Sequence, residues 1–579
     1  MQAKRLFSAL LAAALCAGTL PVALAADTPA EPAAAAQNTI TNRREDLAFL
    51  LETLGRVHPQ IYANSSRQAF ADKRAGIEAG LEEMSDFDFA IALSELVALV
   101  GDSHTGVNIG VYADQLHFVA MDTAHFAEGW VVTALPAEHA ALLGGVLTEI
   151  NGIPMDEVQA RISPMIGADN PAYERRQFGG LVYVYEVLQH YGIADDPSGV
   201  ALTIRTADGE QTVSVPALTR PEMAGLQVVS LASRVTGAPA TAADTSKLYF
   251  AKALDGQTLY IQYNACREDE ALPMETFAAQ VAEQLEQGQY TRVLLDLRNN
   301  GGGSDGVAMP LLWMLSEKHD QDGVGFYTLI GEGTFSSALI NAVESKEMGA
   351  TIVGTPTGGS VDHFGAVSSF SLPHSGIRVQ YSTKFIDMGT LISVAEPYGV
   401  ESLRPDIAAE QTLTDYLAGK DTAVGAILAR TETGGARTEL TRGALAAALA
   451  RDWASRTGNA IGFSQPPFDD VSTFHYTAPY VGWAEENGLM VGAGGDSFRP
   501  DRTVTRQELA AVLARYAALT GLELAGEPAA LADAGAVDAW ALEAARALTG
   551  AGLFELTEGR FDPTGPVTRD ALAQILKKL

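Results

Sequence analysis

Cysteine is nearly absent. The 579 residues contain two, Cys16 and Cys266, too few for a disulfide scaffold or a multi-cysteine zinc site. Basic residues are also scarce: 39 Lys and Arg stand against 71 Asp and Glu, for a net charge of −32. That balance argues against a protein that tracks nucleic-acid phosphates with a basic face. It also argues against electrostatic docking on an anionic membrane. Past the first segment, no apolar run approaches the about 20 residues of a membrane span. No His/Cys/Asp/Glu group has metal-ligand spacing, so neither a metal nor another cofactor is expected. With 47% hydrophobic and 19% charged residues, the chain is too apolar to be disordered.

What is there begins with an export pattern. Lys4 and Arg5 precede an apolar stretch from Leu6 to Cys16, and Ala23-Leu24-Ala25 forms an A-x-A cleavage site. Residues 1–25 are therefore expected to be a signal peptide whose removal leaves Cys266 as the one cysteine, with no membrane span remaining. Residues 26–40, rich in Ala and Pro, read as a linker. Over 41–110, Leu47, Leu50, Leu51 and Leu54, then Leu93, Leu96, Val97 and Val100, recur at helical spacing. Residues 111–240 alternate short apolar runs with turns around a helical stretch, a mixed α+β region. Over 241–418, strand, helix, strand, glycine turn and helix follow one another, the grammar of an α/β layer, with helices expected at Met274–Gln287, Gly306–Leu315 and Ser336–Met348. Residues 419–436 end in a Gly/Thr stretch and read as a second linker.

Three short runs carry chemistry. Asp296-Leu297-Arg298-Asn299-Asn300-Gly301-Gly302-Gly303 ends a buried strand in glycines, which let a chain present free backbone N–H groups to a ligand or an oxyanion. Gly333-Thr334-Phe335-Ser336-Ser337-Ala338 places serine between a strand and a helix start, where N–H donors stabilise developing negative charge. Gly101-Asp102-Ser103-His104-Thr105-Gly106 holds a histidine, the usual general base for serine, in a turn. Taken singly, each run also fits an ordinary role: a tight turn, a pair of helix-capping serines, a loop histidine.

Together, LVALVGDSHTGV, VLLDLRNNGGGSDG and TLIGEGTFSSALINAVESKEMGATIVGTPTGG resemble the carboxy-terminal processing (tail-specific) protease superfamily, which includes the tricorn core protease. The resemblance spans about residues 42–420. It implies a crotonase-like α/β core with a helical N-terminal region, and peptide-bond hydrolysis by serine. GGVLTEINGIPM, near residue 150, looks like half of a PDZ-like insert, although its usual carboxylate-binding loop is not evident. By motif, Ser336 falls at the nucleophile, and the N–H of Ser337 with that of Gly302 or Gly303 falls at the oxyanion hole. The processing proteases carry a lysine base about 25 residues after the serine, and GTPTGGSVDHFG has none. The tricorn-like branch pairs the serine with an upstream Ser-His dipeptide and a glutamate about 60 residues downstream. Ser103-His104 and Glu396 match those positions. His104 would then take the Ser336 proton, with Glu396 orienting it, through Ser103 or a water. Lys384 and His363 are alternative bases.

The tail repeats. Leu440-Thr441-Arg442, Val504-Thr505-Arg506 and Val567-Thr568-Arg569 each open an apolar 3–4 pattern, with a period of about 64 residues. Thr stands at each expected helix N-cap. Phe468-Asp469-Asp470-Val471 parallels Leu531-Ala532-Asp533-Ala534, and Phe498-Arg499-Pro500 parallels Phe561-Asp562-Pro563. These features resemble the surface-layer homology (SLH) domain, in units of about 437–463, 464–526 and 527–579. The resemblance implies an all-α, three-fold helical domain that binds secondary cell-wall polysaccharide, often pyruvylated. Arg442, Arg506 and Arg569 would offer guanidinium forks to its carboxylates.

The sequence thus points to an exported serine endopeptidase held on the wall or S-layer of a Gram-positive-type bacterium, acting on a protein or peptide. The alternative is an inactive peptide- or lipid-binding surface protein on the same scaffold.

Overall fold

The computed structural model describes residues 40–237, 239, 241–431, 437–462 and 465–579. The expected signal peptide, nearly all of the first linker and the end of the second lie outside the described residues. Three helices lead, α1 (Ile40–Val57), α2 (Arg67–Gly80) and α3 (Asp86–Ala98). Leu47, Leu50 and Leu54 are buried on α1. A capping box between Ser85 and Asp88 starts α3, satisfying two otherwise orphaned N–H groups. An apolar run then buries α3 beneath the turn that carries His104.

Next comes an antiparallel seven-stranded sheet. Its main path runs Val228–Ser230, Gly129–Pro136, Val146–Ile150, Val200–Thr206 and Gly209–Val215. Helix α4 (Pro171–Leu181) belongs to this region, started by the Asn170 side chain with Pro at its first position.

The α/β layer follows. Its six strands lie in the order β1 (Tyr249–Ala253), β2 (Thr258–Tyr263), β3 (Arg292–Asp296), β4 (Gly325–Ile330), β5 (Thr351–Gly354), with Ile407–Ala408 at the far edge. The first pair is antiparallel and the rest are parallel. Every residue of β2, β3 and β4 is buried, as a parallel sheet covered on both faces requires. Helix α5 spans Met274–Gln287 as expected. Helix α6 runs Met309–Asp322, later and longer than the expected Gly306–Leu315, because Asp305–Ala308 is a 3₁₀ turn and Pro310 sits in the first turn of the α-helix. Helix α7 is Ser337–Glu347. A hairpin of His363–Ser371 and Arg378–Ile386 pairs with Gly106–Val107 and so reaches back to the His104 turn.

Part of the second expected linker is not one. Thr422–Leu428 is helical, and Ala423, Val424 and Ile427 pack on the face of the sheet. The tail has its own apolar core. It contains α8 (Arg442–Thr457), α9 (Ala478–Glu486), α10 (Arg506–Thr520), α11 (Ala539–Gly550) and α12 (Arg569–Lys578). Thr441, Thr505 and Thr568 each accept a bond from the N3 backbone N–H. A three-membered ring of backbone bonds closes the domain centre: Leu440 N–H donates to Val567 O, Val567 N–H to Val504 O, and Val504 N–H to Leu440 O.

Candidate functional site

The end of β3 and the end of β4 lie side by side, and their loops are laced together. Thr334 Oγ1 donates to Leu297 O at 2.9 Å, and Phe335 N–H donates to Asn300 O at 3.1 Å. Ser336 follows at φ 53°, half-buried, at the start of α7. A serine at positive φ is uncommon and held only by its surroundings. Its side chain caps nothing, so the helix-capping reading does not hold for Ser336. Neighbouring Ser337 Oγ donates to Gly303 O at 2.9 Å.

The glycine loop sits directly against this turn. A Cβ on Gly302 would fall 2.7 Å from Ser336 Cβ, and one on Gly303 would fall 2.2 Å from Cys266 O. Both glycines have positive φ. Gly302 N–H is engaged by Asn300 Oδ1 at 2.9 Å. Among the described residues, the N–H groups of Gly303 and Ser337 donate to no other group of the chain. Cys266 lies beneath this loop with its thiol pushed up to about 12 by burial, so it is an inert packing group rather than a nucleophile.

His104 is brought to the same place. Its ring stacks on Phe335 at 4.3 Å between centroids and on His363 at 5.3 Å. Tyr173 of α4 stacks on Phe335 at 5.1 Å. Both ring nitrogens of His104 are buried without a hydrogen-bond partner. Burial, helped by His363 and opposed by Asp102, lowers the imidazole to about 3. It is neutral at ordinary pH, the state a general base needs.

The carboxylate beside it is Asp102, which sequence reasoning missed. Asp102 Oδ1 lies 3.9 Å from His104 Nδ1 and accepts His104 N–H at 2.8 Å. Asp102 Oδ2 takes bonds from Ser382 Oγ at 2.6 Å, Thr105 Oγ1 at 2.5 Å and His58 Nε2 at 3.1 Å. His58 Nδ1 accepts Gln60 N–H at 3.1 Å, which fixes the tautomer that donates to Asp102. Burial pushes the Asp102 pKa up, but these donors and His104 outweigh it and leave it below the usual carboxylate value. Ser103 bonds away from the base, donating to Asp169 Oδ1 at 2.5 Å and accepting Asp169 N–H at 3.1 Å. Burial raises Asp169 to about 6.

Ser336, Ser337, Gly302, Gly303, Ser103, His104 and His363 therefore belong to one cluster, and two expected residues do not. Glu396 is exposed at the end of a 3₁₀ turn, Ser393–Ala395, and makes no bond to the cluster. Lys384 is exposed on the hairpin, paired in register with Gly365. Spacing alone had singled out Glu396. Asp102 stood in the quoted motif, but its partners His58 and Ser382 come from distant segments and only folding collects them. Among the described residues, no three His, Cys, Asp or Glu side chains form a metal-binding group.

In the tail, a groove of about 420 Å³ is lined by Arg442, Arg499, Arg502, Arg515, Val491 and Trp540, among others. Trp540 is 56% exposed. Arg442 is buried beneath the groove, where Nε donates to Phe498 O at 2.8 Å and Nη2 to Val491 O at 2.6 Å. Arg506 makes the same clamp one unit later, to Phe561 O at 2.7 Å and Glu555 O at 2.9 Å. Arg569 instead reaches the α/β layer, donating to Gln321 O at 2.7 Å and Asp322 Oδ1 at 3.0 Å. The three matched arginines thus spend donors on the protein itself, whereas Arg499 is exposed and unpaired among the described residues.

Comparison with known proteins matches the S-layer homology domain to residues 467–510 and 531–573. The tail carries S-layer homology repeats, and α8 lies outside both matched stretches. An uncharacterized cell wall amidase of Bacillus anthracis is 26% identical over 113 residues, 20% of this chain and 21% of that protein. The chain thus spans about a fifth of that relative's length. Among solved structures, mature CPAF aligns with a TM-score of 0.45 and 14% identity, over 66% of this chain and 94% of that one. The photosystem II D1 C-terminal processing protease aligns at 0.31 and 12%, over 66% and 98%. No helix among the described residues is long and apolar enough to cross a membrane.

Proposed function

We propose that this chain is an exported serine endopeptidase held on the cell wall by its tail. One observation carries the reading: a serine at positive φ on a helix start, a glycine loop pressed against it with free N–H groups, and a buried neutral histidine stacked on the preceding residue. Ser336 Oγ attacks the peptide carbonyl while His104 takes the hydroxyl proton. The N–H groups of Ser337 and Gly303 receive the oxyanion. The C–N bond then breaks as His104 passes its proton to the leaving amine, and water, deprotonated by the same imidazole, releases the acyl group from Ser336. Asp102 takes the orienting role that the resemblance gave to Glu396. The parallel strands β2–β5 with their covering helices support a crotonase-like core, and the antiparallel sheet falls within 111–240, the region that holds the PDZ-like resemblance.

The reading requires a movement. Neither ring nitrogen of His104 makes a hydrogen bond in this conformation, to Ser336 or to any other group, so substrate must turn the ring or the Phe335–Ser336 turn to join them. Such bonds commonly tighten only in the substrate complex. The same observation favours a second reading, an inactive peptide- or lipid-binding protein. A fluorophosphonate probe separates the two. Labelling of Ser336 in wild type, lost in Ser336→Ala and in His104→Ala, supports the enzyme; a folded protein that takes no label supports the binder.

The groove beside Trp540 is the proposed seat of a carboxylate-bearing, pyruvylated wall polysaccharide. Exposed Arg499 would pair with the carboxylate, and the indole face would stack on a sugar ring.

A further inference from the structure

Among the described residues, the tail's pseudo-three-fold closure is complete in its ring of backbone bonds, and two of its three sectors have an outer wall supplied by the tail itself. In two sectors a preceding segment supplies the wall. Asp470 accepts the N–H groups of Phe498 at 2.6 Å and Arg499 at 2.7 Å. Asp533 does the same for Phe561 and Asp562, both at 2.8 Å. The carbonyls of Phe498 and Phe561 then receive Arg442 and Arg506. For Arg569 no such segment exists among the described residues. Its backbone follows the rule of the other two: Arg442 N–H bonds Arg502 O, Arg506 N–H bonds Gly565 O, and Arg569 N–H bonds Thr438 O, each at 3.0 Å.

In the third sector the last turn of α6 meets Arg569 and Arg437. Gln321 O, near the helix end where carbonyls lack helical partners, accepts Arg569 Nη1 at 2.7 Å and Arg437 N–H at 2.9 Å. Arg437 Nη2 pairs with Asp320 at 2.8 Å, and Arg451 forks onto both oxygens of Glu317. Tyr476, buried, donates to Asp320 Oδ2 at 3.0 Å and accepts Gln321 Nε2 at 2.8 Å. Phe474, partly buried, packs against the core of the α/β layer. Three arginines thus gather where the helix dipole is negative.

We propose that the C-terminal turn of α6 is the third outer wall of the tail domain, an internal ligand that takes Arg569 and closes that sector to wall polymer. The part concerning polymer rests on the wall-binding reading above. The tail is then keyed to the catalytic layer rather than swinging on a linker. Since α6 starts just after the glycine loop, the anchor and the active site share one strut. The second sector is also unsuited to an anion, because Asp562 and Gly565 stand where the first has Arg499 and Arg502. The polymer would keep one seat.

The test uses the full chain, with amide hydrogen exchange read by mass spectrometry. The variant is Asp320→Asn with Asp322→Asn, with Arg569→Gln as a second route should the first fold poorly. The probe is purified pyruvylated wall polysaccharide. Either variant should raise exchange over 317–323 and 437–441 by about ten-fold, with polymer affinity kept within about two-fold. Polymer on wild type should protect 490–502 and leave 317–323 unchanged. Unchanged exchange in both variants would overturn the docking role. Faster exchange at 317–323 on adding polymer to wild type would show that polymer enters the third sector and would overturn its closure. If wild type ignores the polymer, the wall-binding reading fails, and exchange in the variants still decides the docking.

Discussion

His104 and Phe335 lie face to face, their rings 4.3 Å apart and 24° from parallel. Phe335 immediately precedes Ser336, so one aromatic contact ties the proposed base to the backbone of the proposed nucleophile. The stack with Tyr173 and His363 keeps water from the imidazole. Substrate binding has one soft element to move, the ring or the turn it rests on.

Ser336→Ala should abolish turnover and fluorophosphonate labelling with thermal stability nearly unchanged, because the side chain is half-buried and caps nothing. Ser337→Ala removes one hydrogen bond, to Gly303 O, worth about 1 kcal/mol. It keeps the backbone N–H, so substantial activity should remain. The reverse pattern would move the nucleophile by one residue.

Asp102→Asn and Glu396→Ala separate two assignments. Asparagine cannot accept from His58, Thr105, Ser382 and His104 N–H as a carboxylate does, and it leaves buried donors unpaired. Turnover should fall by about 10²–10⁴-fold, with a stability loss on the order of 3 kcal/mol in urea unfolding. Glu396→Ala should behave as wild type in both measurements. A crippled Glu396→Ala with an active Asp102→Asn would restore the expectation drawn from spacing.

The pH dependence follows from burial. His104 is held near 3 against an ordinary 6.5. Between those values the unfolded chain binds a proton that the folded chain refuses. This contribution to stability is therefore full above pH 6.5 and declines as pH falls toward 3. His363 is lowered by burial in the same sense. Asp169, raised to about 6, opposes them: its contribution is present below 3.8 and fades as pH rises through 6. For activity, kcat/KM should stay level from about pH 8 to about pH 5. An acid limb centred at 6.5 would mean that the active imidazole is solvated. A steady rise past pH 8 would point to a lysine base.

Gly303→Ala tests the proposed oxyanion loop. Its Cβ would meet a backbone carbonyl, Cys266 O, at 2.2 Å, and φ is 140°, so the loop must shift and carry its N–H away. A loss of about 10²–10³-fold in kcat is expected. Gly306→Ala, whose Cβ meets open space, should retain normal kinetics. Equal rates for both variants would remove Gly303 from the site.

Local pattern and spacing made much of this legible. Helix α5 spans the residues that its periodicity marked, and the threonines that cap α8, α10 and α12 stand where the repeat put them. What escaped depended on closure in space. Asp102 was visible as a letter beside His104. Its meaning came from His58, delivered by the end of α1, and from Ser382, delivered by the hairpin. Glu396 satisfied a spacing and nothing else. The helix over 422–428 was hidden by a Gly/Thr-rich neighbourhood, although its Ala, Val and Ile pack on the sheet. The proposed role of α6 in the tail could not be read from either segment, because it depends on contacts between residues more than 100 apart in the chain, such as Arg569 with Gln321.

The tail arginines divide by what they touch. Arg506 gives two donors to Phe561 O and Glu555 O and lies over the rings of Phe554 and Phe561, at 5.2 and 5.0 Å. Arg506→Ala unpairs two carbonyls and empties an aromatic contact. It should therefore lower the stability of the tail by on the order of 2–4 kcal/mol, and any loss of wall binding should follow that unfolding. Arg499 is exposed in the groove beside Trp540, and its guanidinium has no partner among the described residues. Arg499→Ala should leave the melting temperature unchanged and weaken retention on wall sacculi by about ten-fold, the value of one charge-assisted bond. Removing ketal-linked pyruvate from the wall should erase the difference between wild type and Arg499→Ala, because the arginine then has no carboxylate to meet. Retention that depends on Arg506 at temperatures where that variant is fully folded, and not on Arg499, would move the polymer seat from the first sector to the second.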